Sequence, residues 1–286
     1  MRTVLVTGAN GQLGIALRNI LDGLDGFEFY FTDVDTLDIC DKAQVDAFVK
    51  SHCIDTIVNC AAYTAVDKAE DEVKICMRIN CDAVRYLGEV AASAGAKIIH
   101  ISTDYVFDGC AVSPYREDEA TNPSSVYGAS KLAGEQALLQ VCPDSVIIRT
   151  AWLYSETGSN FVKTMLRLGK VRDTLGVVAD QKGTPTYAGD LADAIKVVLM
   201  SEKFVPGIYH FTNEGACTWF DFAVKIFELS DIKCNVKPLT TAEYPTRAKR
   251  PAYSILDKSK IKDTYSIQIP VWEDSLINCL HNLNEK

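Results

Sequence analysis

The chain has 286 residues, a hydrophobic content of 48% and a formal net charge of −9, enough for one large domain or two modest ones with a sizeable core. The acidic balance and the lack of dense lysine or arginine runs argue against a nucleic-acid groove, while leaving room for a local basic pocket. No apolar run approaches membrane-spanning length, so no membrane insertion is expected.

In chain order, Met1 to Gly8 run directly into a strand, Thr3 to Thr7, and a glycine loop, leaving no room for a secretory signal; a cytoplasmic location is expected. The loop Gly8-Ala9-Asn10-Gly11-Gln12-Leu13-Gly14 opens an apolar, periodic helix from Leu13 to Leu21. Three glycines between a first strand and a first helix permit a tight turn and close backbone approach, and the helix N-terminus offers free N–H groups to a pyrophosphate. The next strand, Phe27 to Thr32, ends at Asp33, about twenty residues past the loop, where a carboxylate can accept from an adenosine ribose. Asp33 pointing inward would favour NADH and repel the extra phosphate of NADPH. The neighbouring Asp35 and Asp38 leave that assignment open, and Asp38-Ile39 could instead sit against the adenine.

A helix from about Lys42 to Ser51 precedes an apolar strand, Thr56 to Cys60, that runs into the small residues Ala61 and Ala62, as suits backbone close to a cofactor. A charged start at Asp67 to Glu72 leads into a helix through about Ala94. The strand Lys97 to Ser102 follows, with Thr103, Asp104 and Tyr105 at its carboxyl end, the edge where open parallel sheets bind ligands. His100, inside the apolar run, reads as a satisfied core residue. A loop from Asp108 to Ser125 leads to a helix from Ser125 to about Leu139. On it Tyr127 and Lys131 share a face at i and i+4. Bringing a tyrosine from a pKa of about 10 toward neutrality takes roughly 4 kcal/mol, and a nearby cation supplies that sign of shift. A lone Tyr-x-x-x-Lys arises by chance roughly once in a chain of this composition, so its context carries the weight.

Beyond the strand Ser145 to Thr150 the alternation loosens. Phe161 to Leu168 reads as helix, Gly176 to Ala179 as strand, Gln181 to Thr186 as loop, Asp190 to Met200 as amphipathic helix and Gly207 to Thr212 as strand. Thr218 caps a helix to Leu229, and a final helix runs from Trp272 to Leu283 with Trp272, Leu276 and Leu280 turned to the core. The ten cysteines are scattered without a Cys-x-x-Cys pair and read as small core residues or inert thiols.

Repeated strand–helix units with a glycine loop at the first turn indicate an α/β protein, a Rossmann-type doubly wound parallel sheet binding a dinucleotide, with a smaller mixed C-terminal substrate lobe. The expected division is 1–150 for the dinucleotide-binding part, with further elements from about 175–215. Residues 151–172 and 216–286 form the other lobe. Thr103 and Tyr127 could then grip one carbonyl oxygen, with Tyr127 donating a proton as hydride arrives and Lys131 lowering the tyrosine pKa and holding the nicotinamide ribose.

The chain resembles the extended short-chain dehydrogenase/reductase family through Thr7 to Gly14, Thr103 and Tyr127-x-x-x-Lys131. Within it, Asn59 to Glu70, Ser102 to Gly109, Tyr127 to Glu135, Arg149 to Tyr154 and Asp180-Gln181-x-Gly183-x-Pro185-Thr186 resemble the branch that reduces dTDP-4-dehydro sugars. These blocks span nearly the whole chain. The resemblance implies reduction of the C4 ketone of dTDP-4-dehydro-β-L-rhamnose to dTDP-β-L-rhamnose, with NADPH or NADH as cofactor. It implies cofactor contacts at Asn10, Gly11, Gln12, Leu13, Asp38, Ile39, Ala61, Ala62, Tyr63 and Ser102, joining Gly8, Gly14, Asp33, Tyr127 and Lys131. For the sugar it implies Thr103, Asp104 and Trp152. Members of that branch include magnesium-dependent homodimers with acidic residues at the interface. The first helix here carries Ile15-Ala16-Leu17 instead, so magnesium is possible but not supported by this sequence, no metal ligand is assigned and a homodimer stays open.

Three alternatives remain. A sugar-nucleotide dehydratase shares the fold but carries a glutamate where Tyr105 stands, which counts against dehydration. A reductase of another 4-keto-6-deoxysugar nucleotide fits the same residues, and a non-catalytic subunit could keep the scaffold to bind a partner. Trp152 is as well suited to packing as to stacking on a sugar face, and Arg250 to a surface role as to a diphosphate.

Overall fold

The computed structural model describes residues 1–284. The first elements are β1 (Arg2–Thr7), α1 (Gln12–Leu21), β2 (Phe27–Thr32), α2 (Lys42–Ser51) and β3 (Thr56–Asn59). The carboxylate of Asp41 caps α2 by accepting from the backbone N–H groups of Ala43 and Gln44. Along β1 the pleat sends Val4 and Val6 into one apolar core and Leu5 into the other, as expected for a strand covered on both faces.

The single helix predicted from Asp67 to Ala94 is divided. It comprises α3 (Val66–Ala69), α4 (Val73–Met77), a π-helical turn at Arg78–Asp82 and α5 (Ala83–Ala94). The widened turn is set by a contact outside the helix. Asn80 is fully buried in the widened turn; its amide accepts from the Tyr63 backbone N–H at 2.8 Å and donates to the Tyr63 carbonyl at 3.0 Å. The π-helical turn thus carries the residue that anchors the loop after β3, and such turns are frequent at functional sites.

Next come β4 (Lys97–Thr103), α6 (Val126–Val141), β5 (Val146–Thr150), β6 (Leu153–Tyr154), α7 (Phe161–Gly169), β7 (Thr174–Val178), β8 (Lys182–Gly183), β9 (Thr186–Tyr187), α8 (Ala188–Met200) and β10 (Gly207–His210). The main sheet has six strands in the order β10-β5-β4-β3-β1-β2, all parallel. On one face Leu17 and Leu21 of α1 and Leu191, Ile195 and Val198 of α8 share a core with Val4, Val6 and Ile148. On the other, Val45 and Val49 of α2, Leu87 of α5 and Leu138 of α6 close over Leu5, Ile57 and Ile147. Burying each such side chain stabilises the fold by about 1.5–3 kcal/mol.

The chain ends with β11 (Cys217–Thr218), α9 (Trp219–Leu229), β12 (Asn235–Leu239), α10 (Ser259–Tyr265) and α11 (Trp272–Asn284). Thr218 and Asp221 form a reciprocal capping box at the start of α9. A separate core gathers Tyr154, Val162, Leu175, Val177, Phe222, Ile226 and Leu276, and the predicted inward face of α11, Trp272, Leu276 and Leu280, lies within it. β7 pairs with β12, and its Leu175 and Val177 share this core with Phe222 and Ile226 of α9. Ile261 and Tyr265 of α10 join the core over α1 and α8. Cys76, Cys142, Cys217, Cys234 and Cys279 are buried.

Candidate active site

The carboxyl ends of β1, β3, β4 and β5 open onto a cleft of about 830 Å³. Its floor begins at the glycine loop. Gly8 has φ +66°, and a Cβ there would lie 2.6 Å from the Ala61 nitrogen, so only glycine lets β1 and β3 meet at this point. No side chain caps α1 and no acidic residue occupies its first turn. The N–H groups of Gln12, Leu13 and Gly14 therefore face the cleft as an anion site.

Asp33 lines the same cleft; it accepts the Asn10 N–H at 2.9 Å and the Val34 N–H at 2.8 Å, bracing the glycine loop. Asp38 accepts the Cys40 N–H at 2.9 Å and stands 4.0 Å from Arg78. Ile39, Ala61 and Ala62 complete this end of the wall. Two predicted contacts lie elsewhere. Asn10 is exposed beside the loop, and the Tyr63 hydroxyl turns to Glu72 at 2.5 Å, because its backbone is pinned by Asn80.

The other end is built by β4 and α6. A side chain at Gly128 would collide with the Tyr105 carbonyl, so glycine lets the helix lie against the end of β4 and brings Tyr127 over Thr103. The Thr103 hydroxyl stands beside the Tyr127 phenol in the wall of the cleft. Thr103 donates to Asp104 Oδ1 at 2.9 Å. Asp104 is buried and its Oδ2 has no hydrogen-bond partner. Burial pushes its pKa up to about 7, opposed by the Thr103 hydroxyl and by Ser254.

Lys131 is buried beneath Tyr127 and donates to the Ile101 carbonyl at 2.6 Å, with His100 Nε2 at 3.4 Å. Burial lowers its pKa to about 8, while Glu135 one turn further along α6 raises it. His100 is fully buried between Lys131 and Asn59. The expectation that Lys131 lowers the Tyr127 pKa is corrected. Tyr127 is half-buried as a residue, but its phenol lies deep enough that burial pushes the pKa above the ordinary value; Asp104 and Tyr105 add to that, and the Thr103 hydroxyl opposes it. The ammonium is spent on the Ile101 carbonyl, on the sheet side of the helix.

Behind Lys131, the Ser102 hydroxyl donates to Glu135 Oε1 at 2.5 Å, and Arg149 grips the same carboxylate through Nε at 2.9 Å and Nη2 at 2.7 Å. This buried ion pair ties β4, β5 and α6 together under the site. Trp152, just past β5, lies in the wall, with its indole stacked on that of Trp219. Arg250 pairs with Asp67 at 2.6 Å and donates to the Tyr105 hydroxyl at 3.1 Å. Trp219 and Arg78 line the cleft without having been singled out in the sequence, since neither belongs to a spaced pattern. Among the described residues, no three or more His, Cys, Asp and Glu side chains cluster closely enough to hold a metal, and no helix is long and apolar enough to cross a membrane.

The sequence model of the family described as RmlD substrate binding domain matches residues 1–285. A dTDP-4-dehydrorhamnose reductase of Aggregatibacter actinomycetemcomitans is 45% identical over 289 aligned positions, covering 97% of this chain and 98% of that protein. The crystal structure of a dTDP-4-dehydrorhamnose reductase from Clostridium acetobutylicum superposes with a TM-score of 0.95 at 43% identity, covering 99% of both chains. That of the Bacillus anthracis dTDP-4-dehydrorhamnose reductase, in complex with NADP, also gives 0.95, at 41% identity, covering 99% of this chain and 100% of that one.

Proposed function

The chain belongs to the RmlD substrate binding domain family, and we propose from that premise that it reduces the C4 ketone of dTDP-4-dehydro-β-L-rhamnose to dTDP-β-L-rhamnose. It is an NAD(P)H-dependent oxidoreductase acting at the last step of dTDP-rhamnose synthesis. The observation that carries the mechanism is the placing of the Thr103 and Tyr127 hydroxyls side by side in the same cleft as the uncapped N-terminus of α1.

The cleft suits a dinucleotide. The N–H groups at Gln12 to Gly14 hold the pyrophosphate, Asp33 and Asp38 with Ile39 flank the adenosine, and Ala61, Ala62 and Ser102 line the path to Lys131. When bound, the reduced nicotinamide supplies the hydride to C4. Thr103 and Tyr127 donate to the ketone oxygen and polarise it. Burial keeps the Tyr127 phenol protonated. An alkoxide is a stronger base than a phenolate, so the proton passes from Tyr127 to the oxygen as negative charge gathers there. Lys131, beneath Tyr127 on the same face of α6, holds the nicotinamide ribose at the end of that path. Asp104, buried beside Thr103 in the cleft wall, borders the place where the sugar hydroxyls next to the reacting carbon would lie.

The smaller lobe, built around α7, α9 and α11, receives the nucleotide-sugar half. The reading extends to a cytoplasmic location, supported by exposed thiols at Cys53 and Cys110 that suit a reducing compartment. It also includes a homodimer, which would cover exposed apolar side chains such as Val224 and Ile277; light scattering tests that part. The decisive assay follows cofactor absorbance with dTDP-4-dehydrorhamnose and identifies the product by NMR, for wild type and Tyr127→Phe. Wild type should yield the rhamno sugar and the variant should lose about 10²–10⁴-fold in kcat. A wild-type protein that oxidises no cofactor with this substrate would refute the reading.

A further inference from the structure

Trp152 sits at φ +49°, a backbone conformation that an L side chain rarely adopts. Something must hold it there. Its indole lies on that of Trp219 with ring centroids 3.6 Å apart and planes 13° from parallel. On its other flank the backbone of Gly183 is so near that a Cβ there would stand 2.6 Å from Cε2 of the indole. Trp219 is in turn set by two capped helix starts. It is the first residue of α9, behind the Thr218–Asp221 capping box, and it meets Phe161, the first residue of Asn160-capped α7, at 4.6 Å. Both tryptophans line the cleft on the side of Thr103 and Tyr127. Trp152 follows β5 of the main sheet and packs with Trp219 against the smaller core, so the stacked pair joins the two beside the cleft.

We propose that Trp219 is a positioning residue: by clamping Trp152 against Gly183 it fixes the aromatic wall that receives the sugar, and so sets the affinity of the site for the sugar half of the nucleotide sugar. The inference rests on the reductase reading above. One face of Trp152 is covered by Trp219, so the sugar meets the rim of a paired platform rather than one free indole face. The cofactor end lies across the cleft and makes no use of the pair.

The test measures calorimetric affinities of wild type, Trp219→Ala, Trp219→Leu and Trp219→Phe for dTDP-β-L-rhamnose, for dTDP without the sugar, and for NADPH. Trp219→Ala should weaken dTDP-rhamnose by about tenfold while leaving dTDP and NADPH within about twofold, and Trp219→Phe should recover most of the loss. Trp219→Leu keeps apolar bulk without a ring; it should behave like alanine and is read in its place if that variant does not fold. The exciton-coupled circular dichroism of the stacked indoles should vanish in Trp219→Phe and Trp152→Phe and persist in Trp272→Phe. Unchanged dTDP-rhamnose affinity in the ring-less variants, or an equal loss for all three ligands, overturns the inference while the reductase reading stands. A wild-type protein that binds dTDP-rhamnose no tighter than dTDP, and reduces no 4-ketosugar, refutes both.

Discussion

Lys131→Met separates what the lysine does for the reaction from what it costs the fold. Wild-type Lys131 is buried, and its pKa falls from 10.5 to about 8. A lysine whose folded pKa lies below its unfolded value destabilises the native state. That cost is fully present below pH 8, where both states carry the charge, and disappears as pH rises toward 10.5, because the unfolded chain binds more protons over that interval. The gap corresponds to about 3 kcal/mol. Methionine removes the ammonium but leaves the Ile101 carbonyl without its donor, which costs about 1–3 kcal/mol at every pH. The absolute stability of the variant at pH 7 is therefore close to that of wild type. The difference between the two must change with pH, wild type gaining about 3 kcal/mol on the variant between pH 7 and pH 10.5. Urea unfolding of both proteins across that range measures it, and titrations shared by the two cancel. A stability difference that stays flat from pH 7 to 10.5 would show that Lys131 is not a strained buried cation.

Glu135→Gln should lower stability by about 3–5 kcal/mol, because Arg149 is left as a buried cation without its carboxylate. Pairing it with Arg149→Met should recover most of that loss in guanidinium unfolding, and failure to recover it would show that the ion pair is not what the single variant breaks. Arg78→Ala should weaken NADPH by about tenfold and NADH by much less in fluorescence titrations, since Arg78 is the cation beside Asp38 where Asp33 would otherwise repel a 2′-phosphate. Equal losses for both cofactors would assign Arg78 to packing.

The elements that repeat locally are legible in the sequence. The glycine loop, β2 and α2 come where composition and period put them, and so does α6, because each depends on neighbours three or four residues away. The break of the predicted helix at Arg78–Asp82 was not legible, since it is caused by Asn80 reaching back to Tyr63. For the same reason Tyr63, expected at the cofactor, turns toward Glu72.

The site divides along the same line. The order of residues alone determined which chemistry is present: a glycine loop for a pyrophosphate, Thr103 at a strand end, and Tyr127 and Lys131 one helical turn apart. Those depend only on the 3.6-residue period and the alternation of strand and helix. Only the tertiary structure decided how the groups are tuned. It placed Lys131 on the Ile101 carbonyl, raised the Tyr127 pKa by burial, put Glu135 and Arg149 beneath Ser102, and stacked Trp219 on Trp152. Ser102, Arg149 and Trp219 are 33, 14 and 67 residues from the partners that define them, and desolvation depends on everything packed around a group, so neither can be read from spacing along the chain.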